Sequence, residues 1–192
     1  MKHKILLRTF LFCFLFIHKC CYAENYDFHK QEIPKTVVLE ETGDVLSLRG
    51  VALHKLYFKD SYIAAFYSLN KESTPIEAIN DPGPKRMWLY FLQSVDNLRE
   101  YWEDGIETNN PPDLIQREQI SISQFFKMID MPLREGDTLI LDFVPNVGTK
   151  IIIKGNMKGL IKGNEFYNLV LKTWMGRSPP SEKFRKDLFN LS

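Results

Sequence analysis

His54 is the residue whose type and position could do chemistry. It lies in Arg49 to Leu69 (RGVALHKLYFKDSYIAAFYSL), where counting by twos gives Leu46, Leu48, Gly50, Ala52, His54, Leu56 and Phe58, a strand face that is otherwise apolar. An imidazole there can donate or accept a hydrogen bond and can change charge near neutral pH. A lone histidine on such a face is also read as a core residue with one satisfied hydrogen bond. Other chemistries find little footing in the rest of the chain. Glu100, Glu103, Asp104 and Glu107 form the solvated face of a helix rather than an acid/base pair, and neither a G-x-S-x-G elbow nor a phosphate loop is present. The glycines from Gly155 to Gly163 belong to a hairpin.

The chain opens on what reads as a secretory leader. Lys2, Lys4 and Arg8 precede an apolar run from Phe10 to Ile17, and Cys21 and Ala23 frame a cleavage point before Glu24. The apolar run is far shorter than the roughly 20 residues a membrane-spanning helix needs. A periplasmic or secreted protein of residues 24–192, one domain, is therefore expected. Removal of residues 1–23 takes away Cys13, Cys20 and Cys21, which are all the cysteines, and the histidines His3 and His18. No disulfide, thiolate site or histidine-rich metal site is then expected, and no cofactor. Four basic residues and no acid leave with the leader, so the formal charge falls from +1 to −3, which gives no overall attraction for nucleic acid or anionic membrane.

His54 must be held by a central hairpin. Its second strand, Tyr62 to Tyr67, is apolar or aromatic on both faces, as in an interior strand. The loop decides whether Tyr62 shares a face with His54. An Asp60-Ser61 turn would put them on opposite faces, whereas a three-residue Lys59-Asp60-Ser61 loop would align them. The second is expected, because Asp-Ser suits the left-handed turns of two-residue hairpins poorly.

Around the hairpin, residues 24–35 read as polar and loosely held, and Thr36 to Glu40 as a short strand. Thr74-Pro75-Ile76-Glu77 starts a short helix ended by Asp81-Pro82-Gly83-Pro84. Arg86 to Gln93 is a strand, Asp96 caps a helix to about Thr108, and Asp113 to Ile129 is one helix or two shorter ones. Thr138 to Val144, Thr149 to Lys154 and Met157 to Ile161 are strands. Asn164 opens a helix with Phe166, Tyr167, Val170, Leu171, Trp174 and Met175 on its apolar face and Gly176 at its end, and Ser181 opens a last short helix. Strand pairs joined by tight turns, with helices between the groups, argue for α+β with an antiparallel sheet.

Gly50 to Tyr67, Gly83-Pro84-Lys85-Arg86, Trp102 to Asn110, Gly136-Asp137 to Gly148-Thr149, and Phe166 to Gly176 together resemble the chalcone isomerase-like family, especially its exported bacterial branch. The resemblance implies an open-faced β-sandwich: a large antiparallel sheet, a helical layer and a cleft between them. The family includes plant enzymes that close chalcones to flavanones and relatives that bind fatty acids. In the enzymes an arginine on the hairpin's first strand stabilises the attacking phenolate. A threonine on the second strand, a tyrosine and an asparagine in the helical layer, and a late-helix hydroxyl complete the site.

Carried over by position, the arginine falls on His54, the strand threonine on Tyr62 and the late hydroxyl on Thr173. The helical tyrosine and asparagine have no clear match, since Asp96 to Gly105 aligns in more than one register. Tyr62 is also read as packing beside Phe58, and Thr173 as bonding back within its helix. Asn109-Asn110 is read as a helix stop or as a pocket rim. The resemblance implies a protein that binds a small apolar ligand bearing a carboxylate, such as a fatty acid, through His54, Tyr62 and Thr173. The alternatives are an intramolecular lyase and a structural or partner-binding domain. Binding is favoured over lyase chemistry because a guanidinium is always charged and offers paired donors, whereas an ordinary imidazole is mostly neutral at pH 7. N-terminal sequencing of the exported protein should begin at Glu24; retention of residues 1–23 in the exported form would contradict the leader.

Overall fold

The twelve-residue strand β4 (Val45–Leu56) and its partner β5 (Lys59–Ser68) organise the sheet. Both carry the β-branched, aromatic and aliphatic residues that suit a pleated surface. The computed structural model describes residues 24–71 and 74–189, the Tyr101 side chain excepted, so the expected leader lies outside the described residues. Seven antiparallel strands lie in sequence order: β3 (Thr36–Val38), β4, β5, β6 (Lys85–Phe91), β7 (Thr138–Val144), β8 (Gly148–Ile153) and β9 (Asn156–Lys162). Helix α1 (Pro75–Asn80) precedes β6. Between β6 and β7 come α2 (Leu98–Asn109), α3 (Pro112–Arg117) and α4 (Gln119–Ile129), and α5 (Glu165–Met175) and α6 (Glu182–Asp187) follow β9. The fold is α+β, an open-faced sandwich with its main core between one sheet face and the helices, where Phe66, Leu89, Phe125, Phe166 and Trp174 are fully buried. The stretch 113–129 is two helices, broken at Glu118.

Three expectations change. Residues 24–35 are not loosely held: β1 (Asn25–Phe28) and β2 (Gln31–Pro34) form a hairpin whose Ile33 is fully buried against the outer sheet face, with Tyr26 and Phe28 packed beside it. The alternation of Tyr26 and Phe28 was the available signal, masked by the polar residues around it. The cap of α2 is Asn97, whose side chain accepts from the Arg99 N–H at 3.1 Å, while Asp96 instead meets Arg134 at 3.0 Å. The central loop is neither of the two expected: Leu56 pairs with Lys59, so Tyr57 and Phe58 form it.

Two one-residue irregularities in the β4–β5 ladder reset its faces. Leu48 pairs with Tyr67 but Gly50 with Phe66, leaving Arg49 extra on β4. An extra residue reverses the alternation beyond it. Leu46 and Leu48 accordingly join Val51 on the outer face, while Ala52 lies in the helix-facing core. The even-numbered series is thus divided between two faces, and Phe58, assigned to the apolar face, is fully exposed at the loop. The second irregularity leaves Ser61 extra on β5, because Lys55 pairs with Asp60 but His54 with Tyr62. Without it His54 would sit opposite Ser61.

Two adjacent basic residues of β6, Lys85 and Arg86, are held by hydrogen bonds. Lys85 Nζ donates to the carbonyls of Ala78 (3.0 Å) and Asp81 (2.6 Å) at the end of α1, and lies over the rings of Phe143 and Tyr167. Its strand neighbour Arg86 makes a bidentate contact with Asp142, its partner across the β6–β7 ladder, at 2.5 and 2.7 Å. These two residues of the Gly83-Pro84-Lys85-Arg86 run fasten α1 and β7 to β6 rather than face the cleft.

Gly50 is where α6 seats. A Cβ at this position would fall 2.1 Å from the Leu188 carbonyl carbon and 2.3 Å from the Asp187 oxygen, both backbone atoms that cannot swing aside. Gly50→Ala should therefore destabilise the protein by about 1–3 kcal/mol through overpacking. At roughly 2–4 °C per kcal/mol for a domain of this size, the thermal midpoint should fall by several degrees. An unchanged midpoint would show that α6 does not depend on this seat.

Candidate functional site

The Ser61 irregularity brings His54 and Tyr62 directly opposite each other on the helix-facing side, with ring centroids 4.4 Å apart and planes 6° from parallel. The expectation that they share a face holds, although the loop that produces it differs. Phe184 of α6 stands edge-on to both rings, at 6.2 Å from His54 and 6.3 Å from Tyr62. The Tyr62 hydroxyl accepts from Trp174 Nε1 at 3.0 Å, so its own proton remains to be donated. Burial raises the Tyr62 pKa well above that of a free phenol, keeping it neutral.

Thr173 completes the set from α5. Its neighbour Trp174 packs edge-on against Trp102 of α2, with centroids 5.1 Å apart. Gly105 permits the close approach of the two helices, since a Cβ there would lie 2.6 Å from Thr173 Cγ2. His54, Tyr62 and Thr173 line one cavity of about 220 Å³, walled also by Phe91, Leu98 and Trp102. The His54 Nδ1 and Thr173 Oγ1 atoms are buried and have no hydrogen-bond partner among the described residues. Thr173 does not bond back within its helix, and Tyr62 packs on His54 rather than beside Phe58.

Burial lowers the His54 pKa from the ordinary 6.5 to about 4. The site therefore presents a neutral imidazole, a phenol and an alcohol at neutral pH among walls that are mostly apolar but include Ser61, Ser178 and the acidic Asp104. Such a set can hydrogen-bond a polar head, but it lacks a fixed cation for a developing oxyanion. Among the described residues no three His, Cys, Asp or Glu side chains come together in a way that could hold a metal ion.

Sequence reasoning missed several residues. Trp174 counted only as apolar surface, yet it holds the Tyr62 hydroxyl. Phe184 had no assignment; Gly50, a glycine inside a strand, was the available hint that another backbone approaches there. Asn109 and Asn110 are ties at the end of α2. Asn109 Nδ2 donates to the Gly105 and Ser178 carbonyls, and its Oδ1 accepts from the Ser178 N–H at 2.7 Å. Asn110 Nδ2 donates to the Ile106 and Leu169 carbonyls. Both face a second, wider depression of about 1010 Å³ between α1, α5 and α6, which includes Lys172, Arg177 and Arg185 but none of the three cleft residues.

A family model described as chalcone isomerase-like matches residues 25–190. The crystal structure of an Arabidopsis thaliana fatty-acid binding protein superposes with a TM-score of 0.55 at 16% identity, covering 80% of this chain and 95% of that one. That likeness is one of fold. No curated protein matches in sequence.

The depressed pKa has a measurable consequence. The unfolded chain takes up a proton near pH 6.5, the folded one only near 4. Stability from neutral His54 is thus fully present above about pH 6.5 and diminishes as pH falls toward 4. NMR titration of the imidazole should place its midpoint near 4, and His54→Gln should flatten the loss of stability over this interval. A midpoint near 6.5 would show an open, hydrated ring.

Proposed function

The chain belongs to the chalcone isomerase-like family, and from that premise we propose that its cleft binds a small apolar ligand through one polar head, with a carboxylic acid of short or medium chain as the fitting class. The observation that carries this reading is one small, largely apolar cavity lined by His54, Tyr62 and Thr173, two of which, His54 and Thr173, hold a buried atom, Nδ1 and Oγ1, without a hydrogen-bond partner among the described residues. Leaving such groups unpaired costs free energy, about 1–3 kcal/mol each, which a ligand's head would recover. The phenol proton of Tyr62 supplies a third contact. The cavity, about 220 Å³, lies below the roughly 300–1,000 Å³ of drug-sized pockets, so the ligand is small. The fold shared with a fatty-acid binding protein supports the same class.

Binding is preferred to cyclisation because His54 stands where the resemblance puts the enzymes' arginine, and burial keeps that imidazole neutral. An open cavity also speaks against a purely structural domain with a filled cleft. The proposal includes export: the leader directs residues 24–192 to the periplasm or the medium, as in the family's exported bacterial branch.

A bound carboxylate would raise the His54 pKa by favouring its charged form. Affinity for the anion should then fall as pH rises past the bound-state value. In calorimetric titration with octanoate, His54→Ala and Thr173→Val should each weaken binding about tenfold or more, equivalent to 1.4 kcal/mol or above. His54→Ala should also flatten the pH dependence, while His54→Arg should retain binding. Unchanged affinity in both weakening variants would remove the cleft from the function, and rapid chalcone cyclisation by the unmodified protein would overturn the assignment.

A further inference from the structure

The loop joining β4 and β5 is at odds with what a hairpin requires. Tyr57 and Phe58 both have positive φ, 47° and 69°. Two-residue hairpin loops with this backbone favour Asn-Gly or Asp-Gly, because a bulky L side chain is disfavoured there. Neither aromatic gains anything by burial in return: Phe58 is 100% exposed and Tyr57 84%. Folding alone therefore selects against this pair twice, once through the backbone and once through the exposed apolar surface.

The surroundings indicate what the pair meets. The neighbouring β1–β2 loop also has positive φ at both central residues, but these are the polar His29 and Lys30. The two tips lie side by side, with His29 Nδ1 3.8 Å from the Asp60 carboxylate. That carboxylate also meets Lys55 at 2.7 Å, while among the described residues Lys30 and Lys59 have no acidic partner. The end of the sheet thus presents two projecting aromatic side chains flanked by free cations. Asp27 and Glu32 face each other further back on the β1–β2 ladder.

We propose that the Tyr57-Phe58 tip, with Lys30 and Lys59, docks this protein on the surface of an anionic lipid bilayer. Aromatic rings favour the membrane–water interface, and adjacent cations favour anionic headgroups. A protein partner would need a pocket shaped to a convex aromatic pair, whereas a bilayer interface receives it without matched shape. The formal charge of −3 expected for residues 24–192 does not oppose this, because charge separated by more than about 8–10 Å is largely screened at physiological salt. The tip also adjoins the cleft: Leu56, the residue before Tyr57, and His54 both line it. Docking would bring the cleft wall close to the interface. The docking itself stands whether or not the cleft takes an acyl ligand.

Flotation of the purified protein with vesicles of phosphatidylcholine and phosphatidylglycerol (7:3), and with phosphatidylcholine alone, tests this. The unmodified protein should float with the mixed vesicles and less with the neutral ones. Tyr57→Asn/Phe58→Gly should reduce the partition coefficient at least tenfold while raising the thermal midpoint, since the new residues suit the turn. Phe58→Ser alone should weaken partition in the same direction. Lys30→Glu/Lys59→Glu should abolish the preference for anionic vesicles. Octanoate affinity should be unchanged in the tip variants, which separates failure of docking from failure of the cleft. No flotation with either vesicle, as expected of a tip that docks on another protein, would overturn the proposal. Undiminished flotation of Tyr57→Asn/Phe58→Gly would do the same.

Discussion

A strand shows alternate residues to alternate faces, so one extra residue reverses every side chain beyond it relative to the ladder. The β4–β5 pair uses this twice. At Arg49 the shift moves Leu46 and Leu48 to the outer face and turns Gly50 and Ala52 inward, so that α6 can seat on the bare backbone at Gly50. At Ser61 the shift places Tyr62 opposite His54. The cleft, the seat of α6 and the inner core all depend on these two residues.

Packing of the helical layer converts that register into a site. Tyr62, Trp174, Trp102 and Phe125 form a continuous aromatic series from the sheet through α5 and α2 to α4. Such pairs contribute about 0.5–1.5 kcal/mol each beyond the area they bury. Gly105 lets α2 approach Thr173, and the Asn109 bonds to Ser178 hold the segment after α5. The stacked His54 and Tyr62 rings form the sheet's part of the cleft lining.

The electrostatics follow from burial. Desolvation disfavours the charged imidazole and the charged phenolate alike, so both remain neutral across the physiological range. Buried charges lie elsewhere in the fold, among them Arg86–Asp142 and Lys85, each held by hydrogen bonds. Charge is thus used to fasten β6 to its neighbours, while His54, Tyr62 and Thr173 offer the cleft uncharged hydrogen-bonding groups. This division is consistent with holding a ligand.

Much of the architecture was legible in local chemistry. Thr74 before Pro75 and Ser181 before Glu182 start helices where capping rules place them, and Gly155 marks the β8–β9 hairpin, although the two loop residues are Lys154 and Gly155 rather than the expected Gly155 and Asn156. The apolar face of α5 was evident from its period, and His54 from its contrast with its neighbours. These features depend on residues within about one turn or one strand of each other. The β1–β2 hairpin, the Tyr57-Phe58 loop and the bond from Trp174 to Tyr62 were decided by the tertiary structure. In each the deciding partner is remote or the local preference is overruled: Ile33 acquires a core only from the outer sheet face, and an aromatic pair takes positive φ because the paired strands impose it. Trp174 meets Tyr62 across 112 positions of sequence. The sequence by itself determined which residues could form the cleft. Only the register of two strands, set by single extra residues that carry no local signature, decided that His54, Tyr62 and Thr173 share it.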